Sequence, residues 1–197
     1  MHRTGLFPSF LVSLALATPV RDHVPAAGPV GPLQLGFLFA GYYGADLSGL
    51  ERRSAWISES DLAVALQIER LTHRRLDDIV TWRREGSSWD AITRRCNLGC
   101  EVYFVQLPAD LPLPEPYARP YRLWRQQPGV DQRLSDAEVR EMVLLHALSD
   151  YCSIAPPEVV RLRAAGQSPK AIAAAHPPRE AQSNPAGDPD EQHRVKP

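Results

Sequence analysis

Residues 135–152 have the sequence SDAEVREMVLLHALSDYC, which predicts a long buried helix. Ser135 followed by Glu138 has the pattern of a capping box, in which each side chain accepts a hydrogen bond from the backbone of the other residue. The positions after Glu138 are largely apolar, and they cover too much of the helix circumference for a helix with one solvated face. We therefore expect this helix to lie inside a core.

A second stretch of the same type lies earlier in the chain. Residues 58–71 have the sequence SESDLAVALQIERL, with Ser58 as the expected N-cap and Asp61 as the acid three residues later. Shorter helical patterns follow each long helix, one pair around Gly86 and another around Gly166. These patterns predict an all-α protein.

The two pairs of short helices match each other without a gap when residues 77–96 are placed over residues 157–176. The identical pairs are Val80 with Val160, Arg83 with Arg163, Gly86 with Gly166, Ser88 with Ser168, Ala91 with Ala171 and Ile92 with Ile172. Placing Ser60-Asp61 over Ser135-Asp136 extends the match to the long helices. The sequence thus predicts two copies of one unit, a long helix, a short helix, a Gly-x-Ser turn and another short helix, packed around one core. A partial third copy is expected at residues 42–57.

The Gly-x-Ser turn has a structural explanation. Gly86 and Gly166 can adopt the left-handed conformation that ends a helix, and the hydroxyls of Ser88 and Ser168 can cap the helix that follows. The motif therefore predicts a structural turn, with no catalytic or binding role.

The segments LRAAG at 162–166 and WRREGSSWDAI at 82–92 resemble stretches of uncharacterised, exported helical-repeat proteins of bacteria. The resemblance extends over residues 42–176. It implies the helical-repeat architecture and export, and it supplies no activity, ligand or catalytic residue.

Prolines divide the chain, because many of its 19 prolines fall near the two ends and in one central stretch. We expect a flexible lead at 18–34, a first helical unit at 35–106, a Pro- and aromatic-rich connector at 107–134, a second unit at 135–176 and a disordered tail at 177–197.

The N-terminus has the pattern of a signal peptide covering residues 1–17. Arg3 precedes an apolar run from Leu6 to Leu16, and Ala15 and Ala17 give the A-x-A arrangement of a cleavage site. The run is too short for an ordinary membrane anchor. We therefore expect an exported protein of the periplasm, cell envelope or medium that has no transmembrane segment once the signal is removed.

Nucleic-acid binding is the first alternative function. Residues 86–99 are similar to the first helix and turn of a helix-turn-helix. The recognition helix would then be residues 100–105, sequence CEVYFV, which offers no side chain suited to base edges. The net charge of −1 gives no attraction for phosphates either. The sequence argues against a nucleic-acid partner.

Three cysteines, Cys96, Cys100 and Cys152, would meet an oxidising compartment after export. We expect two of them to form a disulfide, with the pair left open by their spacing, and the third to stay free or to bridge two chains. A zinc site would need a second closely spaced Cys or His pair, so neither a metal nor another cofactor is expected.

Candidates for catalysis are few. His146 with Asp150 could form a general base and its orienting acid, with Cys152 as nucleophile, and His73 with Asp77 is a similar pair. A small exported hydrolase is therefore the second alternative function.

Two surfaces could bind a partner. Aromatic and basic residues alternate in the connector at Tyr117, Arg119, Tyr121, Arg122, Trp124 and Arg125, where they could contact a peptide or glycan or fix the connector to the core. Arginines also cluster in the first unit, interleaved with acids that favour a solvated, ion-paired face: Arg70, Arg74, Arg75, Arg83, Arg84, Arg94 and Arg95. The resulting hypothesis is a non-enzymatic binding or structural module whose partner is an envelope or extracellular protein or a glycan.

Overall fold

The computed structural model describes residues 34–177. The predicted signal peptide at 1–17, nearly all of the predicted lead at 18–34 and nearly all of the predicted tail at 177–197 lie outside the described residues.

Residues 34–177 contain nine α-helices and one short 3₁₀ helix, with no strand among them, so the predicted all-α class is confirmed. The helices are α1 (Gly36–Tyr43), α2 (Leu47–Ser54), α3 (Glu59–Thr72), α4 (Leu76–Arg84), α5 (Trp89–Arg95), α6 (Ala118–Gln126), α7 (Asp136–Cys152), α8 (Pro156–Ala164) and α9 (Pro169–Ala175). The 3₁₀ helix, Cys100–Tyr103, follows α5. No helix within 34–177 has the length and apolar character needed to cross a membrane.

Local capping starts the helices where the sequence predicts. Ser135 and Glu138 form the complete capping box at the start of α7. The Ser58 hydroxyl accepts from the Asp61 N–H at the start of α3, and Ser88 caps α5 in the same way. Each such cap satisfies an N–H group that has no partner inside its own helix.

The core is built on α3 and α7, which pack against each other. Every residue from Asp61 to Ile68 is buried, so α3 is enclosed on all sides, as its broad apolar pattern predicts. Helix α1 packs on both long helices, α4 lies between α3 and α5, and α8 and α9 cover α7. The C-terminal ends of α1 and α3 lie side by side, since Arg70 of α3 lies over the ring of Tyr42 of α1.

The two Gly-x-Ser turns have the same backbone geometry. Gly86 has a φ of 90° and Gly166 a φ of 83°, both left-handed. Ser88 and Ser168 each accept a hydrogen bond from the backbone N–H three residues later. The arginine three residues before each glycine donates to the carbonyl of the residue between glycine and serine, at 3.0 Å in the first turn and 2.8 Å in the second.

Candidate functional site

The aromatic residues of the connector pack against the core, which is one of the two alternatives that the sequence left open. Tyr117 and Tyr121 are buried, and the Tyr121 hydroxyl donates to the Val105 carbonyl at 3.0 Å. The Trp124 ring stacks on Phe104 with 4.6 Å between centroids. The rings therefore hold the connector, including α6, against the rest of the fold.

Two arginines of the same strip are also engaged inside the protein. Arg119 forms an ion pair with Glu138 at 2.6 Å, and Arg125 donates to the carbonyls of Pro108 and Ala109. Arg122 is exposed. Arg125 is exposed too, whereas Tyr117 and Tyr121 are buried, so these aromatic and basic side chains do not share one outer face.

The expected disulfide is absent, because Cys96, Cys100 and Cys152 are all free thiols and all buried. Cys100 Sγ accepts a hydrogen bond from the Gln132 N–H at 3.2 Å. Burial raises the pKa of all three thiols, which keeps them protonated. They belong to the core of the described residues.

One group of potential metal ligands lies beside Cys100. Its sulfur and carboxylate oxygens of Glu101 and Asp131 lie within 4.8 Å of one another. Asp131 is already ion-paired with Arg94, and its other oxygen accepts from the Cys100 N–H. The positive guanidinium opposes a cation at this position.

In a helix-turn-helix, residues 100–105 would form the recognition helix. They contain instead the short 3₁₀ helix Cys100–Tyr103. Cys100 and Tyr103 are buried, and the Tyr103 hydroxyl lies 2.6 Å from the Thr93 hydroxyl. This segment is therefore too short and too enclosed to enter a DNA groove.

The proposed catalytic residues come together only in part. His146 Nε2 lies 3.5 Å from Oδ2 of Asp150, the same oxygen that accepts from the Tyr42 hydroxyl at 3.0 Å. Cys152 is six positions after His146 on α7, so the two side chains leave the helix about 120° apart. Because Cys152 is also buried as a thiol, it is not placed as a nucleophile for His146.

The second pair, His73 with Asp77, forms no ion pair within residues 34–177, unlike His146 with Asp150. His73 ends α3 in a left-handed conformation with a φ of 55°. Asp77 instead pairs with Arg53 of α2 at 2.7 Å. Neither histidine therefore has a nucleophile of the proposed kind beside it.

An open cleft lies next to the Tyr42–Asp150 contact, between the C-terminal ends of α1 and α3. This cleft has a volume of about 520 Å³. It is lined by Tyr43, Leu66, Glu69, Arg70, His73, Arg74 and Arg75. We call it the α1–α3 cleft.

Arg70 is oriented by an aromatic neighbour. Its guanidinium carbon lies 4.8 Å from the centre of the Tyr42 ring. Burial, followed by the hydrogen bond to Asp150, raises the pKa of Tyr42 to about 12, so Tyr42 remains a neutral donor to Asp150. The Tyr42 ring thus supports Arg70 at the edge of the cleft without neutralising its charge.

Tyr43 has a buried hydroxyl that forms no hydrogen bond with any residue in 34–177. Burial raises the pKa of Tyr43 far above its ordinary value, so this hydroxyl keeps its proton. An unpaired buried donor is costly and uncommon in folded proteins. Other atoms of the Tyr43 side chain contribute to the wall of the cleft, so the hydroxyl lies behind that wall.

The sequence pointed to some residues of this cleft and missed others. Arg70, Arg74 and Arg75 belong to the basic cluster of the first unit, whereas nothing in the sequence marks Tyr43 or Leu66 as their neighbours. Among the other arginines of that cluster, Arg83 and Arg94 form ion pairs, whereas Arg84 and Arg95 lie over the rings of Trp56 and Trp82, as Arg70 lies over Tyr42.

No family model, curated protein or solved structure matches this chain. The resemblance to exported helical-repeat proteins remains a prediction.

Proposed function

We propose that this protein is an exported, non-enzymatic binding module that takes its ligand in the α1–α3 cleft. The observation that carries the proposal is an open cleft of about 520 Å³ whose arginines form no ion pair with any carboxylate in residues 34–177. Its volume falls within the usual range for small-molecule sites, about 300–1,000 Å³. Export is supported by the sequence pattern of residues 1–17.

The proposal includes a duplicated scaffold, supported by an arginine-to-acid pairing in each unit. Arg163 forms a bidentate contact with Glu141, at 2.7 and 2.8 Å from its Nη2. Arg83 lies 3.6 Å from Asp61. The alignment that matches the short helices makes Asp61 correspond to Glu141. The alignment of Ser60-Asp61 with Ser135-Asp136 would instead make it correspond to Asp136.

The ends of the long helices support the same register. Helix α3 ends at His73 with a φ of 55°, and α7 ends at Ser153 with a φ of 53°. Asp61 would then correspond to Glu141 and His73 to Ser153. The copies differ in the residues that face the cleft, since Arg70 corresponds to Asp150, so only the first unit would provide a basic site.

Ligand screening by thermal shift on the full chain tests the binding function. Compounds that raise the melting temperature are rescreened against Arg74→Trp, which adds bulk at an exposed position in the wall of the cleft, and against Arg122→Trp, which makes the same change at an exposed position of α6. We expect the stabilisation to vanish in the first variant and persist in the second. Stabilisation that persists in both variants, or conversion of the compound into products, would contradict a binding module of this kind.

Intact mass of the protein recovered from culture medium and cell fractions tests export. A chain that starts at Thr18 and is recovered outside the cytoplasm supports it. An uncleaved cytoplasmic chain contradicts it.

A further inference from the structure

The charge lining the α1–α3 cleft is strongly unbalanced. Its wall contains the cationic side chains Arg70, Arg74 and Arg75, joined by His73 when protonated, and a single acid, Glu69. Oε1 of Glu69 accepts from the Leu76 N–H at 3.1 Å, which ties this carboxylate to the start of α4. The residues that line the cleft therefore carry an excess of positive charge, which nearby Asp150 offsets in part, in a chain whose formal net charge is −1.

The cleft also contains a donor that lacks an acceptor. The Tyr43 hydroxyl is buried and makes no hydrogen bond to the described residues, whereas the adjacent Tyr42 hydroxyl donates to Asp150 at 3.0 Å. If the Tyr43 side chain turns toward the cleft on binding, an oxygen of an anionic group can accept from its hydroxyl while the arginine guanidinium groups bind the charge. Such charge-assisted hydrogen bonds are stronger than neutral ones.

We propose that the α1–α3 cleft binds the phosphate or carboxylate group of a small ligand, with Arg70 and Arg75 as charge partners and Tyr43 as hydrogen-bond donor. This inference rests on the proposed function and specifies the ligand chemistry. Leu66 and the Tyr43 ring supply apolar surface for the remainder of the ligand. Exposed Asp78, at the start of α4, opposes an extended polyanion along the same side.

Calorimetric titration of the full chain with three probes tests the ligand class. The probes are phenyl phosphate, benzoate and benzyl alcohol, which share a ring and differ in the charged group. We expect saturable binding of phenyl phosphate, of benzoate or of both, and no saturable binding of benzyl alcohol. The stronger of the two anions identifies the group that the cleft prefers.

Three variants locate the binding. Arg70→Gln should weaken the anion at least about tenfold, because one charge-assisted contact is lost. Arg122→Gln removes an exposed arginine of α6 and should leave the affinity unchanged. Tyr43→Phe should weaken binding several-fold, yet leave the melting temperature of the free protein unchanged or higher, since it removes an unsatisfied buried hydroxyl.

The opposite outcomes are distinct. Anion affinity that is unchanged in Arg70→Gln, or a Tyr43→Phe variant with a lower melting temperature and full affinity, would overturn the anion site and assign these residues to fold stability. If wild type and Arg70→Gln bind benzyl alcohol in the cleft equally well, the protein is still a binding module, but its ligand is not anionic. Absence of binding by all three probes, together with failure of the wider screen, would refute both. Tight binding of a 20-base-pair duplex with a steep salt dependence would replace the small ligand with nucleic acid.

Discussion

The indole nitrogen of Trp89 donates a hydrogen bond of 2.7 Å to Oδ1 of Asp61 inside the core. The same oxygen accepts from Arg140 Nη1 at 3.1 Å, and Arg83 Nη2 lies 3.6 Å away. Asp61 therefore links α3 to α4, α5 and α7. A carboxylate at this depth is tolerated because three donors surround it.

Replacing Asp61 with Ala should strongly destabilise the fold. The substitution leaves Trp89 Nε1 and the guanidinium groups without their shared acceptor, and breaking such a buried arrangement costs about 3–5 kcal/mol. Urea unfolding measures the loss. Asp110→Ala, at an exposed loop position, should change stability by less than about 0.5 kcal/mol. Equal effects of the two substitutions would show that Asp61 is not a structural link.

The Gly-x-Ser turns should depend on glycine because of backbone conformation alone. A Cβ built at Gly86 or Gly166 meets no atom within 4 Å, so steric conflict with neighbours adds nothing. Gly86→Val and Gly166→Val should each cost on the order of 1 kcal/mol or more, since both positions have positive φ. Ser87→Ala keeps the turn glycine and serves as the control in thermal unfolding. Unchanged melting of both valine variants would refute this explanation of the turn.

Docking of the connector should depend on the Tyr121 hydroxyl. It donates to the Val105 carbonyl at 3.0 Å and accepts from the Val105 N–H at 3.2 Å. Tyr121→Phe should cost about 1–3 kcal/mol, because both backbone groups lose their partner. Limited proteolysis should then cut residues 107–134 faster than in wild type, whereas Arg122→Ala should be cut at the wild-type rate. Identical cleavage of the three proteins would show that this hydroxyl does not hold the connector.

Acid should destabilise the protein through Glu138. Burial raises the pKa of Glu138, but hydrogen bonds from Arg119 and Ser135 outweigh burial and hold the pKa below its ordinary value of 4.5. A carboxyl group whose folded pKa is lowered contributes its full stabilisation above the unfolded pKa. This contribution is lost as the pH falls below about 4.5 and through the folded pKa.

Urea unfolding between pH 7 and pH 3 checks this pH dependence. Glu138→Gln should be less stable than wild type at pH 7 and should lose less stability below pH 4.5. Glu115→Gln, at an exposed connector position, should follow the wild-type profile. A wild-type profile in Glu138→Gln would assign the acid sensitivity to other carboxyl groups.

The three cysteines should resist alkylation in the folded protein. They are buried, and their raised pKa values keep the reactive thiolate scarce near neutral pH. Mass spectrometry after iodoacetamide treatment should show little modification of the native chain and modification at Cys96, Cys100 and Cys152 after denaturation in urea. If two of the three cysteines stay unmodified in the denatured, unreduced chain, those two form a disulfide.

Helix starts and turns were predictable because their signals are local. Ser135 and Glu138 are close in sequence, and their capping box forms wherever those residues begin a helix. The same holds for Ser58, for Ser88 and for the left-handed Gly86. The enclosure of α3 followed from its apolar pattern, since such a helix must be surrounded by other elements.

The partners of polar and aromatic side chains were not predictable in this way. The alternating pattern around Tyr121 fitted a binding surface as well as an anchored connector, and only its burial distinguishes the two. Asp61 looked like the acid of a helix start, although its carboxylate belongs to a buried contact with Trp89. These outcomes depend on which helices pack together.

The α1–α3 cleft shows the same division between local and long-range information. The chain alone indicated that Arg70, Arg74 and Arg75 form a basic cluster on and after a helix. Packing of α1 against α3 and α7 then placed Tyr43 in one wall with Arg70, and paired Tyr42 with Asp150 across 108 positions of sequence. Capping and helix periodicity act over a few residues, whereas burial and charge pairing depend on contacts between distant segments, so the cleft emerges only when the helices are assembled.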